Sequence, residues 1–160
     1  MRVRQSFRNT RARLTIFAVV LALGVAAYSG FNDNPGGDVT RENLSDTQVV
    51  ARGQEIYTAN CAACHGTRLE GQPNWRVRNA NGRLPAPPHD ASGHTWHHDD
   101  QTLFDLTKFG LSKLIGSPVA TDMPVYEGRL TDKEIWAVLA FIKSQWPDTI
   151  RQRQSSLAPR

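Results

Sequence analysis

Apolar side chains recur at helical spacing in three stretches of the chain, and turn-forming residues separate these stretches. The apolar positions of the last stretch form one stripe along a helix: Ile135, Val138, Leu139 and Ile142. Just before it, Thr131-Asp132-Lys133-Glu134 fits a capping box, in which Thr131 and Glu134 each accept a hydrogen bond from the other's backbone N–H. Pro147 follows and cannot continue the helix. The last stretch therefore predicts the best-defined helix of the chain.

Two earlier helices are predicted from the same kind of pattern. Ser45-Asp46-Thr47-Gln48 fits a second capping box with Ser45 as N-cap, and the helix that follows runs directly into Cys61. Its inward positions are expected to be Val49, Gly53, Ile56, Tyr57 and Asn60. A shorter helix is expected to begin at Asp99 or Asp100 and to stop at Gly110. The proline-rich residues 66–92 between them predict a loop.

The N-terminal residues predict an export segment. Residues 1–13 carry five arginines and no acid, and an uncharged, largely apolar run occupies residues 14–31. Such a run favours a membrane-spanning helix whose basic flank stays in the cytoplasm. A cleaved signal peptide, cut after residues 25–27 or 27–29, is the alternative. We interpret residues 32–44 as a flexible linker, 45–146 as the folded domain and 147–160 as a basic, frayed tail.

The net charge of +4 comes from the two ends of the chain. Residues 45–146 contain ten Lys and Arg side chains against eleven Asp and Glu. A folded domain so close to neutral offers no basic face for nucleic acid, and we expect no nucleic-acid partner. At 160 residues, the chain has room for one ordinary domain with short extensions.

The two cysteines of the chain lie in Cys61-Ala62-Ala63-Cys64-His65. Two thiols at this spacing can reach both vinyl groups of one haem, and the next residue, His65, then lies under the iron as an axial ligand. A thioredoxin-like redox pair is the main alternative, but it would require a βαβ setting, whereas here a helix leads into the motif. A structural zinc site would need two more ligands. We therefore predict one covalent haem c.

From these residues the chain resembles class I cytochromes c over residues 45–146. The resemblance includes Gly53 and Tyr57 before the cysteine motif, Met123-Pro124 after it, and Phe141 in the last helix. It implies an all-α cytochrome c fold of three to five helices around the haem. It also implies that the first and last helices cross where Gly53 meets Phe141, with Trp136 as a less favoured partner.

The resemblance also implies two further site residues. Met123, the only methionine besides Met1, occupies the position of the family's methionine loop and is expected to be the sixth iron ligand. A thioether favours ferrous iron and raises the reduction potential. The remaining ring N–H of His65 needs an acceptor. Family members use a proline carbonyl for this, and Pro87 is the first candidate, followed by Pro85.

A histidine-rich segment, residues 89–98, sets this chain apart. Its histidines are His89, His94, His97 and His98. Three interpretations stay open: a copper or zinc site, a bis-histidine haem in which one of them replaces methionine, and a polar loop that packs beside the haem. We favour the polar loop, in which Asp99 or Asp100 caps the next helix.

Together these features predict an exported monohaem cytochrome c that carries single electrons between respiratory-chain or dehydrogenase partners. Residues 14–31 would attach it to the bacterial cytoplasmic membrane with the haem domain in the periplasm; signal cleavage would leave it soluble there. The alternative is a fixed haem subunit of a larger membrane oxidase or dehydrogenase. Because His65 and Met123 fill both axial positions, we expect no enzymatic activity; a peroxidase or sensor would need an open one.

Overall fold

A computed structural model describes residues 44–157, and within this range the chain is helical and contains no β-strand. The α-helices are α1 (Thr47–Asn60), α2 (Ala62–His65), α3 (Asp100–Phe109), α4 (Leu111–Ile115), α5 (Asp132–Ser144) and α6 (Asp148–Ser155), with a 3-10 helix at Thr95–His97. The predicted all-α fold is confirmed. Of the predicted segments, residues 1–31 and nearly all of the linker lie outside the described residues. No helix within residues 44–157 is long and apolar enough to cross a membrane.

Helices α1 and α5 cross in close contact because Gly53 has no side chain. A Cβ atom at Gly53 would lie 1.9 Å from the carbonyl oxygen of Ala137 and 3.0 Å from the Cβ of Phe141. The predicted meeting of Gly53 and Phe141 is confirmed. Trp136, the less favoured partner, instead stacks on Phe104 of α3 with ring centroids 4.5 Å apart. Close to the crossing, the ring of Tyr57 packs on that of Phe141 with centroids 5.3 Å apart.

Helix α3 packs on the other side of α5 through a small apolar cluster, whose buried members are Leu103, Phe104, Ile135 and Leu139. Asp99 caps α3 by accepting hydrogen bonds from the N–H groups of Gln101 and Thr102, both at 3.0 Å. The helix ends at Gly110, whose positive φ of 82° suits glycine. Both predicted ends of this helix are confirmed.

The caps of the two longest helices differ in how well the sequence predicted them. The capping box of Thr131 and Glu134 is present as predicted. At α1, however, the N-cap is Asp46 and not Ser45, so the predicted capping box there is wrong. The Asp46 carboxylate accepts a hydrogen bond of 2.7 Å from the N–H of Gln48, which moves the first helical residue to Thr47. Aspartate and serine are about equally good N-caps, so the sequence pattern could not decide between the adjacent residues Ser45 and Asp46.

The expectation of a frayed tail after Pro147 is also wrong. Residues Asp148–Ser155 form α6, and Gln154 near its end is only 1% exposed. The Gln154 amide donates to the carbonyl of His98 at 3.1 Å and to the carboxylate of Asp100 at 2.7 Å. These contacts attach α6 to the end of the histidine-rich segment, at His98, and to the start of α3, at Asp100. The polar sequence of α6 does not by itself reveal them.

Candidate functional site

The cysteine motif is shaped by one helical turn at the end of α1. The N–H of Cys61 donates to the carbonyl of Tyr57 at 2.8 Å, and the N–H of His65 donates to the carbonyl of Cys61 at 2.9 Å. Residues three and four apart share one face of a helix, so Cys61, Cys64 and His65 project together. The Tyr57 hydroxyl donates to the carbonyl of Gly66 at 2.8 Å and thereby fastens the far end of the turn. Tyr57 of α1 thus holds the motif at both ends, at Cys61 with its backbone carbonyl and at Gly66 with its hydroxyl.

Neither cysteine forms a disulfide, and Cys61 does not have the character of a redox thiol. Burial raises the pKa of the Cys61 thiol to about 11. Catalytic redox cysteines have a lowered pKa, because the thiolate is the reactive form. Cys61 is half-buried and Cys64 is exposed. The pair therefore does not resemble a thioredoxin-like site.

His65 has the protonation state that an iron ligand needs. Its side chain is buried, at 7% exposure, and its Nδ1 lies 2.8 Å from the carbonyl oxygen of Pro87. A carbonyl only accepts, so Nδ1 carries the proton and Nε2 keeps its lone pair. Burial lowers the pKa of His65 below its ordinary value, against the opposing effect of the bond to Pro87. A neutral imidazole with a free Nε2 is the form that binds metals.

The Pro87 carbonyl reaches His65 because two loop segments pack with almost no gap. The N–H of Gly71 donates to the carbonyl of His65 at 2.8 Å, and the N–H of Gln72 donates to that of Ala86 at 2.9 Å. A Cβ atom at Gly71 would lie 2.7 Å from the carbonyl carbon of Pro87, and the φ of Gly71 is +67°. Only glycine meets both conditions without strain. Gly71 therefore sets the distance between the motif and its proline acceptor.

His89 lies directly against His65. The two rings are stacked, with centroids 4.0 Å apart and planes 22° from parallel. The Nδ1 of His89 lies 2.7 Å from the Thr95 hydroxyl, and burial lowers the pKa of His89 well below its ordinary value. From the sequence, His89 was one of four histidines with no distinct role. Its position two residues after Pro87 was the available signal that it would lie beside His65.

The other histidines of the segment point to different neighbours. His94 stacks on Trp75 with ring centroids 5.4 Å apart, and His97 stacks on Trp96 at 3.8 Å. Among residues 44–157, no three His, Cys, Asp or Glu side chains converge as a metal site would require. This arrangement supports the interpretation of the segment as a packing loop.

The loop that carries Met123 is attached to α1 and to α3 by Tyr126, a residue that the sequence pattern did not single out. The Tyr126 hydroxyl donates to the carbonyl of Asn60 at 2.7 Å, one residue before the cysteine motif. The N–H of Tyr126 donates to the carbonyl of Thr107 in α3 at 3.3 Å. Met123, three residues earlier, is half-buried, and its N–H donates to the Thr121 hydroxyl at 3.1 Å. The loop that carries Met123 is therefore tied to the motif that carries Cys61.

These donors fit a covalently bound haem. Two free thiols sit on one face of a single helical turn, next to a neutral imidazole whose Nε2 is available. A family model for cytochrome c matches residues 50–146. The chain belongs to the cytochrome c family. It accordingly carries haem c, attached covalently through the cysteine pair of the motif, and works as a haem-binding electron carrier. Comparisons with curated proteins and with solved structures returned no match.

Proposed function

We propose that this cytochrome c is an exported, monohaem carrier of single electrons between protein partners, with thioethers at Cys61 and Cys64 and axial ligands His65 and Met123. The observation that carries the proposal is the hydrogen bond from His65 Nδ1 to the Pro87 carbonyl. It selects the tautomer that ligates, and it makes the imidazole a stronger donor to the metal. When bound, the haem supplies an iron that cycles between ferric and ferrous.

Met123 is the best candidate for the second axial position. It lies in a loop that Tyr126 fastens beside the cysteine motif, and its thioether is the soft donor that stabilises ferrous iron. With His65 and Met123 as its two axial ligands, the iron would have no open site for a substrate. This supports an electron carrier over a peroxidase or a gas sensor.

The stacking of His89 on His65 speaks against His89 as the second ligand. Two nitrogens bound on opposite faces of one iron would be about 4 Å apart, since each metal–nitrogen bond is about 2 Å long. The ring centroids would then be farther apart still, with the haem plane between them. The centroids of His65 and His89 are 4.0 Å apart and the rings face each other. In this arrangement His65 and His89 could not hold one iron between them, which favours Met123 over His89 as the second ligand.

Replacement of Met123 tests the ligand assignment. The ferric protein should show the weak red absorption band of sulfur-to-iron charge transfer, and Met123→Ala should abolish it and let the reduced protein bind carbon monoxide. Val125→Ala, at an exposed position of the same loop, is the matched control and should change neither property. A wild-type protein without the band, together with no spectral change in Met123→Ala, would favour a bis-histidine haem.

Cell fractionation tests the proposed export. If residues 14–31 remain as an anchor, the haem-loaded protein should sediment with membranes and resist a high-salt wash. A soluble periplasmic protein that begins at Tyr28 or Gly30 would show a cleaved signal instead. Co-purification with stoichiometric oxidase or dehydrogenase subunits would favour a fixed haem subunit over a carrier. Haem-free protein confined to the cytoplasm would contradict export.

A further inference from the structure

The imidazole of His65 has two kinds of contact, and they restrain it differently. The hydrogen bond to the Pro87 carbonyl fixes one atom of the ring, Nδ1, but it tolerates rotation of the ring plane. The stacked ring of His89 covers one whole face at a centroid distance of 4.0 Å. Rotating His65 about its bond to a metal would separate the stacked faces or drive one ring into the other. The stacked ring of His89 therefore restrains the orientation of the His65 ring plane, which the hydrogen bond to Pro87 does not fix.

His89 can act in this way because it is held by contacts that do not involve His65. Its N–H donates to the carbonyl of Leu69 at 2.8 Å, and its carbonyl accepts from the indole N–H of Trp146 at 2.7 Å. Its ring is held by the hydrogen bond of 2.7 Å between Nδ1 and the Thr95 hydroxyl, and Thr95 is itself buried. Backbone and ring are thus anchored to three separate parts of the fold.

We propose that His89 is a positioning residue that sets the orientation of the His65 imidazole plane relative to the haem. The proposal rests on the proposed function only in that His65 binds the iron. The orientation of an axial imidazole determines how unpaired spin is distributed over a ferric haem. Residues beyond the ligands commonly fix ring orientation in metal sites, and here a stacked side chain would do so in addition to a hydrogen-bond acceptor.

Proton NMR of the ferric holoprotein measures this orientation, because the four haem methyl resonances shift according to the axial ring planes. His89→Leu keeps apolar bulk but removes the flat ring, and Thr95→Val keeps the ring but removes its anchor. Both variants should change the order or spread of the methyl resonances, and should retain the covalent haem and the optical spectrum of the same axial ligands. His89→Phe, which restores a flat ring, should return the pattern towards that of the wild type.

His97→Gln is the matched control. His97 belongs to the same loop, is exposed, and stacks on Trp96 rather than on His65, so its variant should keep the wild-type methyl pattern. A wild-type pattern in both His89→Leu and Thr95→Val would overturn the proposal. If His89→Leu does not accumulate, Thr95→Val decides the matter by itself. Failure of the proposed function would look different: His65→Ala would then leave the axial spectrum of the holoprotein unchanged.

Discussion

Replacement of Gly53 by alanine tests whether the crossing of α1 and α5 is as close as the structure indicates. The added Cβ would lie 1.9 Å from the carbonyl oxygen and 2.6 Å from the carbonyl carbon of Ala137, where ordinary contacts begin at 3.4 Å. Both atoms belong to the backbone of α5. They cannot rotate away as a side chain could, so the helices must separate by roughly 1.5 Å near the crossing.

Two opposing effects determine how much Gly53→Ala changes the free energy of unfolding. Alanine is a better helix former than glycine by about 1 kcal/mol, which favours the variant. Overpacking of a tight core contact costs about 1–3 kcal/mol, and rigid backbone on both sides puts this site at or above the upper end of that range. The steric effect should win, with a net loss in the free energy of unfolding of about 2 kcal/mol. For a domain of this size, that loss corresponds to a fall in Tm of roughly 10 °C.

Guanidinium unfolding of the holoprotein, followed by far-UV circular dichroism and by haem absorption, measures this loss. Ala51→Gly is the matched control, because Ala51 is an exposed position of the same helix. It should cost about 1 kcal/mol from helix propensity alone. If Gly53→Ala were as stable as the wild type, or more so, while Ala51→Gly lost stability as expected, the close crossing would be refuted.

Two further predictions concern the start of α3. They test its N-cap, Asp99, and Gln154 of α6, whose amide contacts Asp100. Burial raises the pKa of Asp99, but hydrogen bonds from Thr102 and Gln101 outweigh it and the net pKa lies below its ordinary value. Because the folded-state pKa is lowered, Asp99 stabilises the fold above the unfolded-state pKa of about 3.9, and this contribution is lost as pH falls through the folded-state value. In urea titrations, the stability advantage of the wild type over Asp99→Asn should therefore be constant above about pH 5 and shrink at lower pH; an advantage independent of pH down to 3 would contradict the reasoning. Gln154→Ala removes two buried hydrogen bonds, one of them to a carboxylate, and should cost about 1–3 kcal/mol in the same assay. Gln152→Ala, at an exposed position of α6, should cost nothing, because alanine is the better helix former, and an equal loss in both variants would show that the buried amide of Gln154 is not responsible.

The sequence alone predicted most of the features that depend on residues close together in the chain, although the N-cap of α1 is Asp46 and not Ser45. The capping box of Thr131 and Glu134 spans four residues, and the placement of Cys61, Cys64 and His65 on one face follows from one helical turn. Such features involve few competing conformations, because spacing along the chain sets the geometry. The match of Gly53 to Phe141 came from family resemblance, since spacing alone says nothing about contacts between distant helices. The ligand role of Met123 stays a prediction.

The tertiary structure decided the features that depend on distant segments. Three prolines, Pro85, Pro87 and Pro88, lie close together in sequence, and the approach of Gly71 brings the carbonyl of Pro87 to His65. The stack of His89 on His65 likewise requires the loop to fold back across the motif. The polar tail could be recognised as a helix only from the buried partners of Gln154. In each case a non-local contact outweighs weak local preferences, and the sequence does not state in advance which non-local contact will form.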